Sequence, residues 1–406
     1  MTDAPARRGR WRPVRHTAVG LASLLVLAGT GFAWTQLSRL DSDLATADVI
    51  APSAQLPAGR DSLAVAQNIL LVGLDSRTDV HGNPLPQALL DQLHAGDSAD
   101  GGDTTDTMIV VHVPAGGGSA TAISLPRDSY VQIAGGHGKH KINSAYTYGK
   151  QAALATLSGE GLSGAELERE AAAAGARTAI ETVEDFTGLA INHYAAVNLA
   201  GFYTLSNAVG GVPVCLKAPV HDSYSGADFP AGEQTLSGAQ ALAFVRQRHG
   251  VPGSDLGRIA RQQAFLSGMA EVVLDSGTLT DPARLSALVG AVTSSVILDR
   301  GWDVLTFAEQ MHNLTSDGIT FATIPVQSLS LATPYDGDAV KVDPTQVQGF
   351  VDALLGGASG RTSASSGTAT TPASVAKQAA ETAGAATTTP SSVSPESSTD
   401  LSGCVS

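Results

Sequence analysis

Residues 242–263 read Leu-Ala-Phe-Val-Arg-Gln-Arg-His-Gly-Val-Pro-Gly-Ser-Asp-Leu-Gly-Arg-Ile-Ala-Arg-Gln-Gln, with four arginines and no lysine. The first seven residues alternate with a period of two, which predicts a strand that carries Phe244, Arg246 and Arg248 on one face. A turn rich in glycine and proline follows, and a helical pattern begins at Asp255. A strand end and a helix start would then aim their arginines at one point.

The start of this predicted helix has the chemistry of an anion site. Arg258, Arg261 and Gln262 are spaced i, i+3 and i+4, so they share one helix face. Guanidiniums bind phosphate oxygens bidentately and stay charged, and a helix N-terminus adds backbone donors. The stretch therefore predicts a diphosphate-binding site. The alternative is that these arginines are solvated on a surface or pair with nearby acids.

The composition bounds the kind of protein. A chain of 406 residues with 43% hydrophobic side chains can form one large domain or two ordinary ones. Its net charge of -14 argues against nucleic acid as a partner. Two cysteines are too few for a disulfide scaffold or a zinc site. Cys215 and Cys404 could pair outside the membrane; the alternative is a buried Cys215 and a free thiol at Cys404.

The N-terminus combines basic and apolar segments. Five arginines lie within the first 15 residues, and no Asp, Glu, Lys or Arg occurs from His16 to Ser38. This predicts a single-pass cell-membrane protein whose N-terminus is cytoplasmic; the alternative is a cleaved signal peptide. The predicted organisation is a basic tail (1–16), a transmembrane helix (17–37), a linker (38–66), an extracytoplasmic folded domain (67–356) and a disordered Ser/Thr/Ala-rich tail (357–406).

The domain itself reads as an α/β fold. Continuous apolar strands are predicted at 68–74, 106–113 and 120–125, and such strands are typical of a sheet covered by helices on both faces. A long helix is predicted over 164–186, and residues 193–202 read as a strand that runs into a helix. Helices are expected to continue to about residue 315, with a last strand at 319–324 and the end of order near Leu354.

Two carboxylates at strand ends are candidate metal ligands. Asp75 follows one apolar strand, and Asp106 begins the next. Ligand sites in open α/β sheets lie at strand ends, and carboxylates without soft ligands suit Mg2+ or Mn2+. The alternative is a pair of aspartates that cap a strand end or a loop. Arg77 and Arg127 also follow strands and extend the predicted arginine cradle, although Arg127 could instead pair with Asp128.

Taken together, these motifs resemble the LytR-CpsA-Psr (LCP) family of cell-wall proteins. The matching segments span about 200 residues, in the order NILLVGLDSR (68–77), DTM (106–108), SLPRDSYV (124–131), KINSAYTYG (141–149), GGVPV (210–214) and LAFVRQRHGVPGSDLGRIARQQ (242–263). The resemblance implies an α/β/α sandwich of three layers with a central mixed sheet. It also implies a polyprenyl-diphosphate-linked glycan as ligand, bound with its lipid in an apolar groove.

The resemblance further implies roles for individual residues. It implies that Asp75 and Asp106 hold Mg2+. The catalytic positions that it implies are Arg127, Arg246, Arg248, Asp255 and Arg258. The diphosphate-binding positions that it implies are Arg77, Arg127, Arg246, Arg248, Arg258, Arg261 and Gln262.

The function expected from this resemblance is phosphotransfer. A glycopolymer of the teichoic acid, capsule or arabinogalactan type would move from polyprenyl diphosphate to a peptidoglycan hydroxyl, with release of polyprenyl phosphate. The expected partners are this lipid-linked glycan, peptidoglycan and the membrane. Two alternatives remain open at this point: a hydrolase that uses water as the acceptor, and a non-catalytic scaffold or regulator that binds lipid-linked precursors.

Overall fold

The computed structural model describes residues 44–56, 65–97, 102–247, 254–274, 281–303, 307, 319–359 and 404–405. The strands are β1 (Ala45–Ala47), β2 (Gln67–Leu74), β3 (Thr105–Val113), β4 (Ala120–Ser124), β5 (Tyr130–Ile133), β6 (Gly138–Lys141), β7 (His193–Asn198), β8 (Val212–Leu216), β9 (Val220–Asp222), β10 (Ala227–Phe229), β11 (Gly232–Leu236), β12 (Val296–Asp299), β13 (Ile319–Thr323), β14 (Ser328–Ala332) and β15 (Asp338–Lys341). The helices are α1 (Gln87–Gln92), α2 (Ala145–Gly159), α3 (Gly164–Thr187), α4 (Leu199–Ala208), α5 (Gly238–Arg246), α6 (Ser254–Leu274), α7 (Pro282–Ser295) and α8 (Pro344–Ser359).

Seven strands form a mixed central sheet in the order β1-β12-β7-β2-β3-β4-β13. The β2 strand lies in the middle, antiparallel to β3 and parallel to β7. The carboxyl end of β2 therefore lies beside the carboxyl end of β7 and the start of β3, at the edge of the sheet formed by these strand ends. Four two-stranded sheets lie outside this central sheet in the described part of the chain.

Helices cover both faces of the sheet. Successive apolar side chains of β2 point to opposite faces, so both faces carry apolar surface that helices bury. Leu70 and Val72 belong to the main core cluster, which includes Ile180 of α3. On the opposite face, Leu71 packs with Ile109 of β3 and with Leu266 of α6. The mixed α/β fold predicted from the sequence is confirmed, with helical layers on both sides.

The prediction of a strand at 242–248 is wrong. Residues 238–246 form α5, and this helix ends at Gln247, whose ψ of 132° is no longer helical. Ala241, Leu242 and Val245 are buried at helical spacing, so the short apolar run satisfied both a period of two and a period of 3.6. Helix α5 buries this face against the cluster that contains Phe265 of α6.

Other boundaries differ from the sequence predictions. The stretch interpreted as a linker contains β1, which pairs in parallel with β12 at the edge of the central sheet. The expected continuous helices to residue 315 are interrupted by β12. The strand at 319–323 is followed by the β14–β15 hairpin, so it is not the last one. Helix α8 continues past Leu354 to Ser359.

The extreme C-terminus returns to the domain. Cys404 forms a disulfide with Cys215, and Val405 makes a parallel bridge to Leu216 of β8. The backbone of Val405 exchanges hydrogen bonds with the carbonyl of Cys215 and the amide of Lys217 at 2.9 and 2.8 Å. Residues 360–403, which hold most of the predicted disordered tail, lie outside the described residues.

None of the described helices is both long and apolar enough to span a bilayer. The predicted basic tail and transmembrane helix, residues 1–37, lie outside the described part of the chain.

Candidate functional site

A cavity of about 370 Å³ lies between the central sheet and helices α4, α5 and α6. Its polar lining comes from the sheet edge where β2 and β7 end and β3 begins, from the facing ends of α5 and α6, and from the end of β9 and the turn after it, which supply Asp222, Tyr224 and Ser225. Its apolar lining comes from the sheet surface and the helices: Leu71, Ile109, Val197, Phe202, Leu242, Val245, Phe265 and Leu266. The cavity thus joins a charged region to an apolar one.

The two aspartates predicted as metal ligands both line this cavity. Asp75 follows β2 directly, and its amide donates to the carbonyl of Thr104 at 2.9 Å. Asp106 lies at the start of β3, where Thr104 Oγ1 donates to its carboxylate at 3.2 Å. Thr104 therefore joins the two aspartate-bearing segments. Although a long loop separates Asp75 from Asp106 in the sequence, the two carboxylates lie at the adjacent ends of the neighbouring strands β2 and β3.

Each aspartate is paired with one of the predicted arginines. Arg77, whose side chain is buried, forms an ion pair with Asp75 and donates to the backbone carbonyl of the same residue at 3.1 Å. Arg127 forms an ion pair with Asp106. Arg127 also lies 3.8 Å from Asp128, but that carboxylate has a closer partner in Lys141 at 3.3 Å. Arg127 is thus aimed mainly at the candidate site rather than at its sequence neighbour.

Helices α5 and α6 supply three more polar side chains to the cavity: Arg246, Arg258 and Gln262. The guanidinium of Arg246 donates to the carbonyl of Leu93 at 3.1 Å, at the C-terminal end of α1. Arg258 is only 2% exposed. The amide of Gln262 donates to the carbonyl of Val245 at 3.4 Å, which ties α6 to α5. The predicted convergence of these side chains is therefore found, although a helix end replaces the predicted strand end.

Arg261 is not part of the cavity lining. It is fully buried and donates to the backbone carbonyl of Gln247, just beyond the end of α5. Burial lowers the pKa of Arg261 to about 10, while the charge of Asp222 acts in the opposite direction. Since arginine remains protonated at neutral pH even so, its position indicates a structural role in fixing the end of α5 beside the site.

Two predicted residues cannot be placed in the site. Arg248 lies outside the described residues, and Asp255 is described only as part of the α6 backbone. Their predicted roles stay predictions.

Comparison with known proteins identifies the family. The sequence profile of the LytR-CpsA-Psr (LytR_cpsA_psr) family matches residues 48–349, which is most of the chain. The protein belongs to the LytR-CpsA-Psr family. The resemblance to this family that the sequence motifs indicated is thereby confirmed.

Relatives of this LytR-CpsA-Psr protein carry cell-wall names. It is 45% identical over 350 residues to the cell wall biosynthesis protein LcpA of Corynebacterium glutamicum, covering 85% of this chain and 66% of LcpA. It is 31% identical to the probable cell wall biosynthesis protein LcpB of the same organism, covering 77% of this chain and 64% of LcpB. The chain thus spans just under two thirds of each of these relatives. A polyisoprenyl-teichoic acid–peptidoglycan teichoic acid transferase, TagU of Bacillus anthracis, is 27% identical, covering 70% of this chain and 80% of TagU.

Solved structures share the fold of this LytR-CpsA-Psr protein. The crystal structure of B. subtilis TagV matches with a TM-score of 0.51 at 24% identity, covering 72% of this chain and 98% of TagV. The crystal structure of B. subtilis TagT matches with a TM-score of 0.50 at 18% identity, covering 77% and 98%. At these identities the likeness shows the fold alone.

The KINSAYTYG motif of this LytR-CpsA-Psr protein and the lysine that follows it hold the segment before β3, a role that the sequence did not predict. Thr147 Oγ1 donates to the carbonyl of Gly102 and to that of Asp103, each at 2.9 Å. The ammonium of Lys150, on the next turn of α2, donates to Asp103 at 2.7 Å. Since Thr104 contacts both aspartate segments, α2 fixes the backbone on which Asp75 and Asp106 depend. The helical spacing of Thr147 and Lys150 was visible in the sequence, but their partners were not.

Further lining residues were missed by sequence reasoning, among them Asn198 and Tyr224. Asn198 caps the N-terminus of α4 through a hydrogen bond from the amide of Gly201 at 2.7 Å, and its Nδ2 donates to the carbonyl of Thr78. It thereby ties the loop after Asp75 to the end of β7. Tyr224 lines the cavity while 77% exposed. The Asn at a strand-to-helix junction is a recognisable cap signal, whereas nothing local marks Tyr224.

Proposed function

We propose that this protein is a phosphotransferase that attaches a polyprenyl-diphosphate-linked glycopolymer to a sugar hydroxyl of peptidoglycan. The observation that carries the proposal is a cavity in which an apolar wall adjoins the two predicted metal-binding carboxylates, two arginines and a glutamine. A lipid-linked diphosphate has the same two-part chemistry. The name of the relative TagU, a teichoic acid transferase, supports the same class of reaction, and the name of LcpA supports a role in cell wall biosynthesis.

The donor would place its diphosphate among the polar residues and its lipid along the apolar lining. Arg246 and Arg258 line the cavity, and Arg77 and Arg127 adjoin it through the aspartates. Guanidiniums bind phosphate oxygens with two parallel hydrogen bonds, which fixes the diphosphate as well as neutralising it. The apolar lining continues from the sheet to Phe265, away from water, as a prenyl chain requires.

The two aspartates fit a magnesium or manganese ion. They are hard oxygen donors that line one cavity. The described residues contain no group of three His, Cys, Asp or Glu side chains that could hold a metal ion alone, so substrate or water oxygens would have to complete the set of ligands. Mg2+ is commonly held by one or two carboxylates together with substrate phosphates and water. Asp75 and Asp106 would hold the ion, which would supply charge neutralisation to the diphosphate.

The proposed reaction needs no covalent intermediate on the protein. The acceptor oxygen forms a bond to the phosphorus on the sugar side, the bond from that phosphorus to the bridging oxygen breaks, and the electron pair leaves on polyprenyl phosphate. The acceptor proton is released to water. The arginines orient the diphosphate and stabilise the charge that develops on the leaving oxygen, which is how phosphoryl transfer is commonly accelerated.

The test uses the full-length chain, a synthetic polyprenyl-diphosphate disaccharide, Mg2+ and a peptidoglycan oligomer. Mass spectrometry is expected to show that the oligomer gains the sugar and one phosphate. Arg246→Ala is expected to lower the rate by about 10³-fold or more, since an arginine that stabilises transferred phosphate has an effect of that order. The matched control is Arg284→Ala, since this arginine of α7 is 64% exposed and does not line the cavity.

The outcomes separate the candidate functions. Free sugar phosphate would mean hydrolysis, and tight binding without turnover would mean a scaffold. Equal transfer by wild type and Arg246→Ala would refute the assignment of this cavity. The predicted membrane anchor, with the domain outside the cell, belongs to the same proposal, because both substrates are envelope components.

A further inference from the structure

A second, larger cavity of about 810 Å³ lies at the same edge of the sheet. Its walls are the loop of residues 76–82, the first half of α3, β1 and the end of α7. Cavities of this size commonly bind ligands. The phosphotransferase chemistry proposed above uses none of the side chains that line it.

This polar cavity shares a wall with the site that holds the aspartates. Leu74 and Asn198 line both cavities. The side chain of Asn198 joins the carbonyl of Thr78 to the N-terminus of α4, so it holds the partition between them in place. The loop that lines the polar cavity begins at Ser76, directly after Asp75. A ligand in the polar cavity would therefore lie beside the diphosphate site.

The lining of the polar cavity differs in chemistry from that of the first. Apart from Glu168, which is paired with Lys150, its charged groups are three arginines and three carboxylates: Arg169, Arg177, Arg300, Asp48, Asp79 and Glu170. The hydroxyls of Thr293 and Ser294 also belong to the lining. Such a balanced set of donors and acceptors suits sugar hydroxyls, which both donate and accept hydrogen bonds. It does not suit a prenyl chain, and it lacks the positive excess that a second diphosphate would need.

Several of these groups remain available to a ligand. Arg300 is 67% exposed and its nearest carboxylate, Asp48, lies 3.8 Å away with the same exposure. Arg169 is exposed and donates one hydrogen bond, at 3.2 Å, to the carbonyl of His81. A guanidinium has five N–H donors, so each of these arginines keeps donors for hydroxyl groups.

We infer that the polar cavity binds a glycan segment of the peptidoglycan acceptor and directs one end of that glycan to the ends of β2 and β7, where Leu74 and Asn198 line both cavities. This inference rests on the proposed transfer reaction and assigns the acceptor to a place in the structure. The donor lies in the first cavity, and the acceptor reaches it from the polar cavity at this shared end. The loop that carries Asp75 then contacts both substrates.

The test measures binding of lipid-free, uncrosslinked peptidoglycan tetrasaccharide to the full-length chain by calorimetry. Ala172→Trp is the first variant, because Ala172 is a partly buried position of α3 that lines the polar cavity. Its control is Ala155→Trp, at an exposed position of α2 outside either lining. The tryptophan at position 172 is expected to weaken tetrasaccharide binding more than tenfold, and its control less than twofold.

The second variant removes a hydrogen-bond donor without filling space. Arg300→Ala is expected to weaken binding about five- to tenfold, the net loss typical of a single hydrogen bond. Arg284→Ala is its matched control, since Arg284 is similarly exposed and also lies 3.8 Å from an aspartate, Asp281. Binding of polyprenyl diphosphate, measured in the same samples, reports whether each variant is folded.

The outcomes distinguish this inference from the proposed function. Unchanged tetrasaccharide affinity in both cavity variants would overturn the inference, even if transfer occurs. Weakened affinity in both variants, with both controls unaffected, would support it even if the wild type transfers no glycan. If Ala172→Trp fails to fold, Arg300→Ala and its control decide alone.

Discussion

Replacing Lys150 by methionine should destabilise the protein and disturb the candidate site together. The ammonium of Lys150 is paired with Asp103 at 2.7 Å and with Glu168, and its side chain is only 5% exposed. Removing one member of a buried ion pair typically costs about 3–5 kcal/mol, because the partner charge is left without compensation. Asp103 and Glu168 are 27% and 20% exposed, so water still reaches them. We therefore expect a loss of about 2–3 kcal/mol in the free energy of unfolding.

The effect on the site follows from the contacts of Asp103. Without Lys150, Thr147 is the one remaining contact to α2 that the described residues show for the segment from Gly102 to Thr104. Thr104 contacts both Asp75 and Asp106, so both aspartates should lose part of their fixed geometry. Under conditions in which the variant remains folded, glycan transfer should fall by about tenfold or more, as positioning errors of this kind cost rate.

The assay pairs urea unfolding with the transfer reaction. Lys139→Met, at an exposed lysine of β6, is the control and should change the free energy of unfolding by less than about 0.5 kcal/mol. The double variant Lys150→Met with Glu168→Leu removes one of the uncompensated charges and should recover about half of the lost stability. A loss below about 1 kcal/mol in the single variant, or no recovery in the double variant, would refute the reasoning.

The remaining predictions concern pH, the disulfide and α5. Burial lowers the pKa of His112 below 6.5, and its imidazole contacts Asn68 at 2.8 Å. As the pH drops through 6.5, His112 is therefore protonated more in the unfolded chain than in the folded one, and the free energy of unfolding should fall. His112→Gln should remove that part of the pH dependence, measured by urea unfolding at about pH 7.5 and pH 5.5. Cys404→Ser opens a loop with a sequence separation of 189 and should cost about 3–5 kcal/mol, which reduction of the wild type should reproduce in a thermal melt. Arg261→Met removes the hydrogen bond that the guanidinium donates to the carbonyl of Gln247 and should cost about 2–4 kcal/mol in urea unfolding, with weaker binding of polyprenyl diphosphate by calorimetry; an unchanged affinity would mean that the end of α5 does not depend on Arg261.

The sequence could predict the centre of the sheet but not its edges. The β2 and β3 strands are continuous apolar runs, so their burial can be predicted from the local sequence alone. The β1 strand has three residues, and it is ordered by pairing with β12, about 250 positions away. No local pattern reports such a long-range pairing. For the same reason the local sequence could not reveal β12, a strand of four residues that pairs with β1 and β7, within a region predicted to be helical.

The split between Arg258 and Arg261 shows where helical spacing alone is too coarse. Residues at i, i+3 and i+4 share a face, but i+3 lies about 60° to one side of i and i+4 about 40° to the other. Gln262 therefore joins Arg258 in the cavity lining, while Arg261 turns toward the end of α5. Which of the two directions meets the ligand depends on how α6 is rotated against its neighbours. Tertiary packing sets that rotation, so the sequence could assign the face but not the division.

The charge balance of the candidate site is opposite to that of the protein. The chain carries a net charge of -14, which would repel a diphosphate donor. Around the aspartates, four described guanidiniums lie beside or within the cavity lining: Arg77, Arg127, Arg246 and Arg258. They outnumber Asp75 and Asp106 by two, and the third carboxylate of the lining, Asp222, is balanced by the charge of Arg261. Like charges are costly to hold together in a partly buried site without an anion to compensate them, because each loses hydration there. The excess of arginine therefore favours an anionic ligand, and a divalent ion held by Asp75 and Asp106 would add two further positive charges to that preference.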